Sequence, residues 1–172
     1  AVDVRIDGFR VEKAPEGRGQ RVFVKHEVDG KGYELRLSEE SAGTQKLMGL
    51  AAFLLAALER GGTVVVDELD AKLHPKLLRY VILLFKDPEV NKHGAQLIFS
   101  SQDVSTMRND VFRRDEIWFA ARGEGEASQL WSLADIHETN GNLVSKNAAF
   151  DKQYLSGRYG ADPYLTRIEE WN

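Results

Sequence analysis

The sequence predicts an α/β chain in which parallel core strands are flanked by helices, with an antiparallel β meander before them and a β hairpin after. Three observations carry this reading. Residues 1–37 alternate apolar and polar side chains between turn signals. Residues 44–100 run in the order helix, strand, helix, strand. Two further alternating runs flank Gly123-Glu124-Gly125.

In the first segment Val2, Val4 and Ile6 alternate with Asp3, Arg5 and Asp7, Val22 and Val24 with Phe23 and Lys25, and Tyr33, Leu35 and Leu37 with Glu34 and Arg36. Glu16-Gly17-Arg18-Gly19 and Asp29-Gly30-Lys31-Gly32 separate the runs. Alternation of this kind predicts a meander with one solvated face. From Thr44 to Arg60 the chain turns Leu- and Ala-rich, which predicts a helix apolar on nearly every side and therefore deeply packed. Gly61-Gly62 supplies its C-terminal cap. Thr63-Val64-Val65-Val66 is β-branched without alternation, the pattern of a strand covered on both faces. Pro75 suits the first turn of a second helix over 76–85, which Asp87-Pro88 stops. Ala95 to Ser100 reads as a second buried strand, and Glu116–Ala120 with Gln129–Leu133 as the hairpin. After Asp135 the polar runs Asn140-Gly141-Asn142 and Gly157-Arg158-Tyr159-Gly160 predict loops and short helices.

Composition narrows the function classes. With 172 residues, 42 % hydrophobic and 29 % charged, the chain is expected to form a single domain, 1–172, with a sizeable core. Its parts are the meander (1–37), the core (38–135) and a C-terminal extension (136–172). The absence of cysteine excludes disulfide frameworks and Cys-based zinc sites. A net charge of −4 gives no global case for nucleic-acid binding. Arg108, Arg113 and Arg114, near Lys86 and Lys92 in sequence, form a local basic cluster that suits either a partner surface or a solvated face. The apolar run from Leu47 to Leu58 falls short of the ~20 residues a spanning helix needs. A cytoplasmic chain with no membrane partner is expected. It begins with Ala rather than Met, so an excised or processed piece is the expectation.

Ligands of parallel α/β sheets gather at the carboxyl ends of the strands. The first buried strand ends in Asp67-Glu68, and the second runs into Ser100-Ser101-Gln102-Asp103. A carboxylate at such a strand tip can hold magnesium directly or through water. A second beside it can position or deprotonate an attacking water. Ser41-Ala42-Gly43-Thr44 opens the first helix, where free N–H groups and hydroxyls favour a phosphate, and where a plain N-cap is the simpler reading. Trp118 and Trp131 read as packing residues of the hairpin. His26, His74, His93 and His137 show no metal-ligand spacing.

In order and spacing, Ser41-Ala42-Gly43-Thr44-Gln45, Val64-Val65-Val66-Asp67-Glu68 and Phe99-Ser100-Ser101-Gln102-Asp103 resemble the signature motif, Walker B and switch loop of an ABC-type ATPase head, a partial P-loop NTPase. Asp67-Glu68-Leu69-Asp70-Ala71-Lys72-Leu73-His74-Pro75 is closer to RecF, SMC and OLD-type heads than to transporters. Arg113-Arg114-Asp115-Glu116-Ile117-Trp118-Phe119 and Tyr154-Leu155-Ser156-Gly157-Arg158-Tyr159-Gly160-Ala161 resemble RloA-like ATP-binding proteins of bacterial abortive-infection and restriction systems. The resemblance spans roughly residues 33–163.

It implies ATP and Mg2+ in the complete head. Asp67 would assist the metal, and Glu68 would be the general base or water-positioning group. Gln102 would stand at the switch position. Ser41, Gly43 and Thr44 would meet the nucleotide of an opposing head, and Ala71-Lys72-Leu73-His74 would be the D-loop, putting His74 near it. The implied partners are a homodimer of heads and an effector that the sequence does not name. Two departures matter. The sequence contains no G-x-x-x-x-G-K-[ST], the loop that supplies most of the phosphate grip. That Walker A portion is expected before residue 1 or from a complementing chain, which leaves the chain by itself without turnover and with weak nucleotide affinity. The switch position, usually His, is Gln102, whose amide can hydrogen-bond a phosphate oxygen but carries no proton at neutral pH. Two alternatives stand beside this reading: a metal-dependent nuclease built on Asp67, Glu68 and Asp70, and a non-catalytic ATPase-like interaction module.

Overall fold

The computed structural model describes residues 6–13, 17, 19–122, 127–138 and 141–161. The expected strand positions Val2 and Val4, part of the Glu16–Gly19 turn, the Gly123-Glu124-Gly125 turn and Asn140 lie outside the described residues. The chain divides into two compact units, Ala1–Gln102 and Asp103–Asn172, where one domain is expected from the sequence.

The first unit opens with the predicted meander: β1 (Ile6–Lys13), β2 (Gln20–Val28) and β3 (Lys31–Arg36), antiparallel in the order β1-β2-β3. β2 and β3 are joined by Asp29-Gly30 alone, with φ of 52° and 73°. Two successive left-handed residues are what a two-residue hairpin turn needs to match strand twist. Cross-strand register sorts the side chains. Phe9 pairs with Val24 and Val24 with Leu35 on one face, while Arg10 pairs with Phe23 and Lys25 with Glu34 on the other. The expected contrast between a covered and a solvated face is not found: on the apolar face only Val24 is fully buried, while Phe9, Val11 and Leu35 are exposed. On the other face Arg10 bonds Glu34 and Glu12, each at 2.7 Å, and lies 4.3 Å over the Phe23 ring. Arg10 holds the Glu34 carboxyl below the usual carboxylate range by hydrogen bonding.

α1 (Ala42–Arg60) ends at Gly61, which takes the left-handed conformation at φ 75° and donates its N–H to Ala57 O. α2 (Pro75–Lys86) starts with the proline at its first turn, and buries Leu78, Val81 and Ile82 as one stripe. β4 (Thr63–Val66) and β5 (Gln96–Phe99) pair in parallel, Val64 opposite Leu97 and Val65 opposite Ile98. Ala57 and Leu58 of α1 pack with Ala95, and Val64, Leu84 and Phe85 join them. Asn91 fastens the α2–β5 connection: its Nδ2 donates to Phe85 O and Ala95 O, both at 2.8 Å, and its Oδ1 accepts from Ala95 N. An amide placed this way satisfies three backbone groups that a tight connection would otherwise strand.

Two expectations are corrected here. β4 and β5 are covered on one face only: Val65 is 74 % and Ile98 56 % exposed. α1 buries only Gly43, Thr44, Leu54, Ala57 and Leu58, and leaves Phe53 and Leu55 open. The side chains are those of two-sided burial, but no described element lies on that second face.

The second unit is built on β6 (Trp118–Arg122) and β7 (Ser128–Ser132), an antiparallel pair, with α3 (Phe150–Leu155). Ile117, Phe119, Leu133, Val144, Phe150 and Tyr159 form its core. The Phe119 ring lies 5.3 Å from Tyr159, 5.7 Å from Tyr154 and 6.1 Å from Trp131. Trp131 packs as expected and donates to Tyr159 O. Trp118 does not: it is exposed, its indole N–H bonded to Asp115 O. No described helix is long and apolar enough to cross a membrane.

Candidate functional site

The site forms at the carboxyl ends of β4 and β5, where parallel α/β sheets present ligands. Asp67 and Glu68 leave β4, and Ser100 leaves β5. Ser100 is the node between them. Its Oγ–H donates to Asp67 Oδ1, its Oγ accepts from Glu68 N at 2.7 Å, and its carbonyl accepts from Leu69 N at 3.0 Å. One carboxylate oxygen of Asp67 is thereby held by the neighbouring strand. Asp67 and Glu68 are both exposed. Further along, Asp70 Oδ2 accepts from Gln102 N at 3.3 Å.

Glu68 has φ 48° and Lys72 φ 65°, left-handed conformations that cost a side-chain-bearing residue energy. Residues held this way persist where surrounding contacts over-determine them, and they cluster at functional sites. Here the contacts are identifiable. Besides the Ser100 bonds, Lys46 Nζ donates to Glu68 O at 2.5 Å, which ties α1 to the acidic turn.

The start of α1 meets the same turn. A Cβ on Gly43 would lie 2.8 Å from the carbonyl oxygen of Lys72, so the helix approaches that backbone more closely than any side chain allows. Ser41 is the N-cap: its Oγ accepts from Thr44 N at 3.1 Å and lies 2.9 Å from Thr44 Oγ1. Gly43 and Thr44 are buried. Ala42, Gln45, Lys46, Ala71 and Lys72 line an open cleft of about 390 Å³ beside this junction. His74 caps α2, its Nδ1 accepting from Lys76 N at 3.1 Å.

Of the residues singled out in the sequence, Asp67 and Glu68 meet at Ser100, and the main chain of Gln102 bonds Asp70 of the following turn. Gly43 touches the Lys72 backbone of the same turn. Ser41, Thr44 and His74 make capping bonds. Asp67, Glu68 and Asp70 do not form the three-carboxylate cluster that a nuclease would use: among the described residues no three His, Asp or Glu side chains are placed to hold a metal ion. The basic cluster is neutralised locally, Arg108 by Asp110 at 3.0 Å and Arg113 by Asp115 at 2.7 Å, while Arg114 donates to Val144 O. Sequence reading passes over three contributors, Ser100 as the node, Asp70 as the acceptor for Gln102, and Lys46. A serine at a strand end, an acid in a turn and a lysine in a helix are too common to stand out. Their partners lie 22 to 33 residues away.

His26 bonds Glu40 at 2.6 Å, and both side chains are largely withdrawn from solvent. This contact joins β2 to the segment that enters α1, one residue before Ser41.

The residues present suit magnesium and a nucleotide in part. Asp67 offers an exposed carboxylate at a strand tip, pre-aligned by Ser100, which is the donor type a hard cation takes. A Gly-rich phosphate loop is absent from the sequence. A family model described as "AAA domain, putative AbiEii toxin, Type IV TA system" matches residues 2–108, more than half of the chain. No curated protein matches it.

Proposed function

The chain belongs to this AAA domain family, a group of P-loop ATPase-like domains, and from that premise we propose that it is the signature and Walker B part of an ABC-type ATPase head. In the complete protein, ATP would be held between two such heads in a system of the toxin–antitoxin or abortive-infection kind, one that resembles RloA-like proteins. The observation that carries this reading is the Ser100 node. It joins the acid pair at the end of β4 to the loop that holds Gln102, the juxtaposition that phosphoryl transfer to water needs.

Each residue has a defined task. Asp67 would face the metal with the oxygen that Ser100 does not engage. Bound magnesium supplies charge neutralisation at the phosphates. Glu68 orients a water and takes its proton. Gln102 donates its amide N–H to a phosphate oxygen, without proton transfer. Ser41 would present the start of α1 to the nucleotide of the opposing head. The phosphate-gripping loop comes from outside residues 1–172, and the open face at Val65 and Ile98 is consistent with a core completed by further strands.

The test is Mg-ATP hydrolysis by the full-length protein. Glu68→Gln is expected to lower kcat by about 10²–10⁴-fold while nucleotide binding persists. Asp67→Ala is expected to abolish the response to magnesium. A Glu68→Gln protein that turns over ATP at the wild-type rate overturns the reading. So does manganese-dependent DNA cleavage lost on Asp67→Ala, which selects the nuclease. Residues 1–172 alone are expected to bind Mg-ATP weakly, and a tight 1:1 complex contradicts the assignment of the phosphate loop to an outside segment.

A further inference from the structure

We propose that Asp70 is a positioning residue for Gln102, fixing the loop after β5 through its main chain; this rests on the ATPase reading above. An aspartate in a turn ordinarily accepts from a backbone N–H two residues on. Asp87 does so with Glu89 N at 2.9 Å, and Asp103 with Ser105 N at 2.7 Å. Asp70 instead reaches across 32 residues of sequence to Gln102 N. Its second oxygen, Oδ1, is buried and has no hydrogen-bond partner among the described residues. A buried carboxylate oxygen without a donor is costly. Local turn formation does not account for that cost, because the turn closes through backbone bonds, Ala71 N to Glu68 O and Leu73 N to Asp70 O.

The contact has a mechanical consequence. Ser100 is anchored by Leu69 N and Glu68 N, and Asp70 adds a second anchor two residues later. Two anchors at that spacing fix the backbone from which the Gln102 side chain projects. With Asp70 removed, the second of these anchors is lost. Because Oδ1 is buried and Oδ2 is engaged by Gln102 N, Asp70 acts through Gln102 and not on metal or water.

The test uses the full-length protein and Mg-ATP turnover. Asp70→Ala is expected to lower kcat about tenfold with KM within about twofold of wild type. Asp70→Asn keeps an acceptor for Gln102 N–H and is expected to retain kcat within about twofold. In a Gln102→Ala background, Asp70→Ala is expected to add nothing, the signature of two residues acting as one unit. Asp70→Asn as damaging as Asp70→Ala, or full additivity in the double variant, overturns the proposal. Amide hydrogen exchange at Gln102 supplies a readout without nucleotide: about tenfold faster in Asp70→Ala and unchanged in Asp70→Asn. Unchanged exchange in Asp70→Ala overturns the proposal on its own. A wild-type protein that exchanges as expected but never turns over ATP overturns the ATPase reading and leaves the Asp70–Gln102 contact standing.

Discussion

The two units bury their apolar side chains in different ways. The second closes an aromatic core on itself: Phe150 is 1 % exposed and Leu133 fully buried, and the Phe119 ring is surrounded by those of Trp131, Tyr154 and Tyr159. The first contains every residue of the candidate site yet leaves Phe9, Phe53, Leu55, Val65 and Ile98 open. The second unit leaves Trp118, Leu130 and Leu155 open as well, so the difference lies in where the open side chains sit: in the first they include the paired Val65 and Ile98, on the strands that lead to the acidic turn and to Gln102.

That contrast can be broken by experiment. Trp118 and Trp131, the tryptophans among the described residues, lie in the second unit, so their fluorescence reports its unfolding, while far-UV circular dichroism is dominated by α1 and α2 of the first. The largest effect is expected from Phe150→Ala, about 3–5 kcal/mol of destabilisation seen by fluorescence in urea. A loss under about 1 kcal/mol would mean that this core is not tightly packed.

Next in size is Gly43→Ala. The added Cβ meets the Lys72 carbonyl at 2.8 Å, and backbone gives way less readily than a side chain. About 1–3 kcal/mol is expected, read by circular dichroism, with loss of any activity that needs the acidic turn in place. An unperturbed Gly43→Ala protein would show that α1 and the turn are not in contact.

A smaller effect depends on pH. Burial pushes the Tyr159 hydroxyl up to about 12, against the neighbouring Arg158 charge. Unfolded tyrosine titrates near 10, so between about 10 and 12 the folded state keeps a proton that the unfolded state loses. The contribution is complete below about pH 10 and is lost as pH rises through the folded value. The urea midpoint of the fluorescence transition should therefore fall between about pH 9 and about pH 11, and fall less in Tyr159→Phe. Equal declines in the two proteins would remove Tyr159 from the account. The smallest effect belongs to Phe53→Gln on α1, which is expected to stay within about 0.5 kcal/mol in the isolated chain. A large loss there would mean that Phe53 is covered after all.

Much of the fold was legible. Alternation marked β1 to β3, Gly61 marked the end of α1, and Pro75 the start of α2, because each signal acts within a few residues. That Asp67 and Glu68 share a sheet end with the loop carrying Gln102 was legible because both segments leave neighbouring parallel strands; their roles as a site remain the proposal. What the sequence did not convey depends on absent or distant neighbours. The Val64-Val65-Val66 run states what burial the strand is suited to, not whether a covering element is present, so its open face was misread. Trp118 reads as a packing residue for the same reason, and is exposed. Asp70 is legible only as a candidate metal carboxylate, and Ser100 only as part of a loop after a strand; their bonds to Gln102 and to the acid pair, like that of Lys46 to Glu68, exist only once segments far apart in sequence come together.

Glu68 carries a final consequence. Its left-handed backbone would be held at lower cost by glycine or asparagine, yet a carboxylate occupies the position. Selection for heat tolerance alone, with no demand for turnover, should therefore drift toward glycine at residue 68. A screen run under that single pressure would identify this turn as a place where durability and the proposed chemistry are opposed.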